Sequence, residues 1–141
     1  MTQKKDKFKF QLKKVELLES TLVTPTKNLE KEVIFNFDLK LEHKFSTESK
    51  IGIIVCTVDT FLESKEDNLG NIKASCIFDL PELEQYFDPE TKKGNLPDQL
   101  ALLLNSVTIS TTRGIMFSEY RGTFLHNAIL PIVDPSQFKV G

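Results

Sequence analysis

Between Phe35 and Phe45 apolar and polar positions alternate without a break. Phe35, Phe37, Leu39, Leu41, His43 and Phe45 lie on one side, and Asn36, Asp38, Lys40, Glu42 and Lys44 on the other. Period-two alternation over that length marks a β-strand with one buried and one wet face, because a helix would scatter both classes around its axis. A shorter alternation precedes it: Phe8, Phe10 and Leu12 alternate with Lys9, Gln11 and Lys13, and the phase then slips at Lys13-Lys14 so that Val15 and Leu17 continue out of step. One extra residue reverses which side chains face inward, so a bulge is expected there. Pro25 should end this strand, since proline cannot donate to a ladder. Lys50 to Leu62 is apolar on both faces, which predicts a central strand covered on two sides. Glu63 to Gly70 reads as an exposed hairpin loop. A fourth strand follows from Asn71 to Leu80, with Ile72, Ala74, Cys76 and Phe78 facing one way. Short links between strands predict an antiparallel meander in the order 1-2-3-4.

The pattern changes at Pro81. One or two helical turns are expected over Pro81–Phe87, then a loop over Asp88–Gly94. Pro97 suits the first helical position, and Asp98 places its charge at a helix N-terminus. Beyond it Leu100, Leu103, Leu104 and Val107 form one apolar stripe, and Leu102, Ile109 and Met116 a second. Val107–Thr112 is rich in β-branched residues and by local preference could equally form a strand.

With 141 residues, one domain is expected, over residues 8–141, preceded by a solvated, mobile arm at 1–7. A composition of 40% hydrophobic and 27% charged residues is ordinary for a globular chain. The net charge of −2 carries no basic block, which argues against nucleic acid as the main partner. No long uninterrupted apolar run suggests membrane insertion, and Met1–Lys7 lacks the apolar core of a signal peptide, so a cytoplasmic location is expected. Cys56 and Cys76 fit that compartment as reduced, buried thiols, and two cysteines without nearby histidine make a poor metal site.

His43 and His126 have no Cys, Ser or acid at a recognisable motif spacing, and no Gly-rich phosphate loop occurs. The expectation is a protein that is not an enzyme and needs no cofactor. Glu63, Glu66, Asp67, Glu82 and Glu84 could meet a basic partner, but a solvated surface is the simpler reading.

The Arg121-Gly-Thr-Phe124 turn and the Leu130-Pro-Ile-Val-Asp-Pro135 tail resemble the end of the SecB protein-export chaperone family. That resemblance implies an α+β fold: a four-stranded antiparallel meander sheet with one long helix, Pro97 to about Arg121, packed on one face and stopped by Gly122. Lys14-Val15 through Pro25 looks like the family's first strand, and Glu32 to Phe45 like its second. The departures are a shorter link at Thr26–Glu32, the absence of any Trp, and a segment Asp134–Gly141 too short for the family's C-terminal helix and acidic tail.

By the same resemblance the chain is an ATP-independent holdase for unfolded or pre-export polypeptides. The implied peptide groove draws on Leu22, Val23, Leu29, Phe124, Leu130, Ile132 and Phe138. The implied assembly is a homotetramer, a dimer of dimers, with first strands pairing across a two-fold axis and helices meeting through Leu102, Ile109 and Met116. Glu19 falls where the family carries an acidic contact for its export ATPase SecA, while Val23 replaces a second acid. Two alternatives stand beside this reading: a SecB-like chaperone dedicated to one client such as an antitoxin, and an oligomeric interaction protein that binds no client.

Overall fold

The computed structural model describes residues 8–24, 34–62, 68–88, 90–91 and 93–137. The arm at 1–7 and the link containing Leu29 lie outside the described residues, as does Phe138. Four strands, β1 (Gln11–Leu22), β2 (Phe35–Ser46), β3 (Ile51–Leu62) and β4 (Asn68–Asp79), form one antiparallel sheet. A 3-10 turn at Leu83–Tyr86 leads to the helix α1, Asp98–Tyr120, and a second 3-10 turn spans Pro135–Gln137.

The strand order is β1-β4-β3-β2, not 1-2-3-4. Only β2, β3 and β4 follow one another as a meander. The first strand leaves its sequence neighbour and pairs with β4, from Gln11 opposite Asp79 to Leu22 opposite Gly70. Both β1 and β2 thereby become edges of the sheet. The expected bulge is present between Leu12 and Lys14, and a second lies between Leu17 and Glu19. The fourth strand starts at Asn68, earlier than the Gly at position 70 suggested.

Register follows the alternation. Phe35, Phe37, Leu39 and Leu41 face the helix side and are packed on the core, while Asp38, Lys40, Glu42 and Lys44 are exposed. On β3 the even positions Ile54, Cys56, Val58 and Thr60 are fully buried. The other β3 face, with Ile51, Ile53 and Val55, is only half-buried. The strand is central as expected, but α1 covers one face only.

Local preference and tertiary fold disagreed most over Val107–Thr112, and the helix wins there. Thr108 Oγ1 donates to the Leu104 carbonyl at 2.8 Å, and Thr112 Oγ1 to the Thr108 carbonyl at 2.8 Å. Each buried hydroxyl is thus satisfied within the helix, which removes the main penalty for placing Thr in a core. On the same face Asn105 is buried, and its Oδ1 lies 2.7 Å from His43 Nε2, tying α1 to β2. Gly122, at φ +79, stops the helix, and the Thr123 hydroxyl caps it by donating to the Tyr120 carbonyl at 2.7 Å.

The buried line on α1 runs through Leu100, Leu104, Thr108, Thr112, Met116 and Tyr120. Steps of four residues advance about 40° around a helix of 3.6 residues per turn, so this line winds obliquely along α1. Such a line matches the twist of the sheet beneath it. Leu102, Ile109 and Met116, spaced by seven, therefore do not share one environment. Ile109 and Met116 are buried against the subunit's own sheet, and only Leu102 is exposed, at 37%. That corrects the assignment of Ile109 and Met116 to an interface between subunits. The helix is long and apolar enough to cross a membrane by length and composition, contrary to the expectation from the sequence; in the fold one side of it is buried on the sheet, while Leu102, Leu103 and Phe117 stay exposed.

Burial pushes the Cys56 thiol from an ordinary 9.0 up to about 11, and raises Cys76 and Tyr120 as well. The unfolded chain releases these protons near their ordinary values while the folded chain retains them, so stability falls as pH rises. The window for Cys56 runs from 9.0 to about 11. At about 1.4 kcal/mol per pH unit, that one thiol accounts for roughly 2–3 kcal/mol. Thermal midpoints followed by circular dichroism should drop through this window, and a Cys56→Ala variant should drop less. A midpoint flat from pH 8 to 11 would contradict the buried thiol.

Candidate functional site

Two features shape the surface beside β2. The first is its edge position, which leaves the inward row Phe35, Phe37 and Leu39 half-buried. The second is the anchored tail. After the Arg121–Phe124 turn the chain folds back, with Leu125, Ala128 and Leu130 in the core. Arg113, from the middle of α1, donates through Nε to the Leu130 carbonyl at 2.8 Å and through Nη2 to the Pro131 carbonyl at 2.9 Å. A guanidinium fork holds two successive carbonyls in a way that a lysine cannot.

The result is a cleft of about 410 Å³ lined by Phe35, Asn36, Phe37, Leu39, Ile129, Leu130, Pro131 and Val133. Its lining is mostly apolar, and one wall is a strand whose outer edge pairs with no other described strand. A surface of that kind suits an extended polypeptide, which can add main-chain hydrogen bonds to the edge and place alternate side chains in the cleft. Among the described residues there is no group of three or more His, Cys, Asp or Glu that could hold a metal. The two thiols are buried, and their raised pKa values hold them as unreactive thiols.

Of the residues the sequence nominated for a groove, the structure brings Leu130 to this cleft, with its side chain largely in the core. Phe124 packs against the core, and Ile132 points outward at 88% exposure, off the cleft lining. Leu22 and Val23 are exposed at the end of β1, on the opposite edge of the sheet, three strand spacings or roughly 14 Å away. Leu29 and Phe138 lie outside the described residues. The phenylalanines of β2 were read as core, and the signal that they line a cleft is topological: it depends on β2 being an edge.

A four-stranded antiparallel sheet with one long helix across it defines the SecB-like chaperone fold, and this chain has that fold. A solved structure similar to it is the Mycobacterium tuberculosis Rv1957 SecB-like chaperone in complex with a ChAD peptide from the Rv1956 HigA1 antitoxin. The two match with a TM-score of 0.61 and 9% sequence identity, over 88% of this chain and 90% of that one. No family model matches the sequence, and no curated protein matches it.

Proposed function

We propose that this chain is a chaperone that holds extended, non-native polypeptide in the cleft between β2 and the tail. The observation that carries this reading is an apolar cleft running beside a strand edge to which no other described strand pairs. The chemistry required is capture alone. Holding needs neither nucleotide nor metal, and the sequence contains no motif for either. The reading is therefore an ATP-independent holdase without enzymatic activity, acting in the cytoplasm.

Apolar surface left over on one subunit supports a homo-oligomer. The first strand exposes Leu12, Val15, Leu17, Leu18 and Leu22, and α1 exposes Leu102, Leu103 and Phe117. Pairing of β1 with its symmetry mate would give a dimer and protect that edge. Contact through the outward side of α1 would give a dimer of dimers, using Leu102 with Leu103 and Phe117 in place of Ile109 and Met116.

A single dedicated client is the favoured form of a second reading, because the similar Rv1957 structure holds an antitoxin peptide. Delivery to an export ATPase draws less support. Glu19 is exposed, but its cross-strand partner is Lys73, which opposes its charge, and Val23 stands where a second acid would be needed.

The test is suppression of aggregation of a denatured model protein, without nucleotide, at a few-fold molar excess of this chain. Scattering should fall by more than half, and Ile129→Asp, at a cleft residue that is 55% exposed, should greatly weaken the effect while leaving the fold intact. Unchanged aggregation with every client tried, alongside no binding of an antitoxin peptide, would leave the interaction oligomer as the surviving reading.

A further inference from the structure

The outward row of β2 carries Asp38, Lys40, Glu42 and Lys44, with signs that alternate strictly along the exposed face. An edge guarded against its own copies usually carries one sign, so that approaching copies repel. An alternating edge does the reverse. Laid antiparallel on itself about Leu41, it sets Lys40 opposite the second copy's Glu42 and Asp38 opposite the second copy's Lys44. The symmetry repeats both pairs, so four opposite-charge pairs form and no like-charge pair. The inward row matches at the same register: Leu41 meets Leu41, Leu39 meets His43, and Phe37 meets Phe45. These residues are half-buried on a row that otherwise faces the core, so a neighbouring strand would complete their cover.

We infer that β2 is a docking edge for a second copy of this chain, paired antiparallel across a two-fold axis at Leu41. The first strand lies at the opposite edge of the sheet, so this contact does not compete with the β1 pairing proposed above, and the two together would extend the sheet beyond the proposed dimer of dimers. It does compete with a client strand on β2. In that respect it rests on the proposed function: self-pairing would close the holding edge at high protein concentration, and a bound client would open it.

Charge exchange separates this register from general stickiness. Lys40→Glu places two carboxylates opposite each other at both symmetric positions, and Glu42→Lys places two ammonium groups there. The double variant Lys40→Glu/Glu42→Lys restores every opposite-charge pair. Lys40 and Glu42 are exposed, so none of these changes touches the core. In sedimentation velocity of the full chain at low salt, each single variant should weaken one association step by at least tenfold, and the double variant should return it to within about twofold of wild type. A zero-length carbodiimide cross-link should join Asp38 of one copy to Lys44 of the other. Within one chain these residues are roughly 20 Å apart along the strand, too far to be joined. Association unchanged in the single variants, or not recovered in the double, overturns the inference. Loss of aggregation suppression with the charge-exchange pattern intact would instead sink the holdase reading and leave the edge pairing standing.

Discussion

Leu104→Ala should lower the unfolding free energy by about 2–5 kcal/mol, whereas Leu103→Ala, one residue earlier, should cost well under 1 kcal/mol. Leu104 is fully buried among Ile54, Cys76, Phe78 and Leu100, so truncation leaves a void as well as losing apolar contact. Leu103 is 43% exposed and gives up little in one subunit. Chemical denaturation monitored by circular dichroism, at low protein concentration, would read both. Equal losses at the two positions would mean that the oblique burial line on α1 is wrong. A Leu103 cost that appears only at high protein concentration would show a second copy covering the helix.

Arg113→Ala should release the tail and reduce client affinity by about tenfold, equivalent to about 1.4 kcal/mol. The guanidinium makes two charge-assisted hydrogen bonds, to the Leu130 and Pro131 carbonyls. Losing them leaves Leu130 anchored by packing but frees Ile129, Pro131 and Val133, which form the second wall of the cleft. An ordered wall costs the bound state nothing, while a disordered one must be ordered by each client. Hydrogen exchange should therefore rise in residues 129–133 and stay low in β3 and β4. Arg113→Lys should recover only part of the affinity, because one ammonium does not reproduce the fork. Full aggregation suppression by the Ala variant would exclude the tail from the binding wall.

Most of the elements were legible in the chain because each is dictated by side chains close in sequence. The alternation from Phe35 to Phe45 sets the faces of β2 whatever its neighbours are, since successive residues of a strand point to opposite sides. The phase slip at Lys13-Lys14 demanded an extra residue, and the bulge is there. Pro97 and Gly122 bound a helix by backbone constraints that need no tertiary partner.

Adjacency of strands is a different kind of fact. Nothing in β1 states whether it pairs with β2 or β4, because both offer the same main-chain ladder and both have an apolar row facing the helix. That choice is made where the elements pack together, with α1 lying over β3 and β4. Placing β1 against β2 would bury Phe35, Phe37 and Leu39 inside the sheet, whereas pairing β1 with β4 exposes them at an edge and creates the cleft. The helix raised the same problem. Which of Leu102, Ile109 and Met116 is buried depends on the angle at which α1 crosses a twisted sheet, and periodicity along one element carries no information about that angle. Sequence alone therefore determined the secondary elements, their apolar faces and the absence of a recognisable catalytic motif; the edge, the cleft and the outward face of the helix were decided only when the elements packed together.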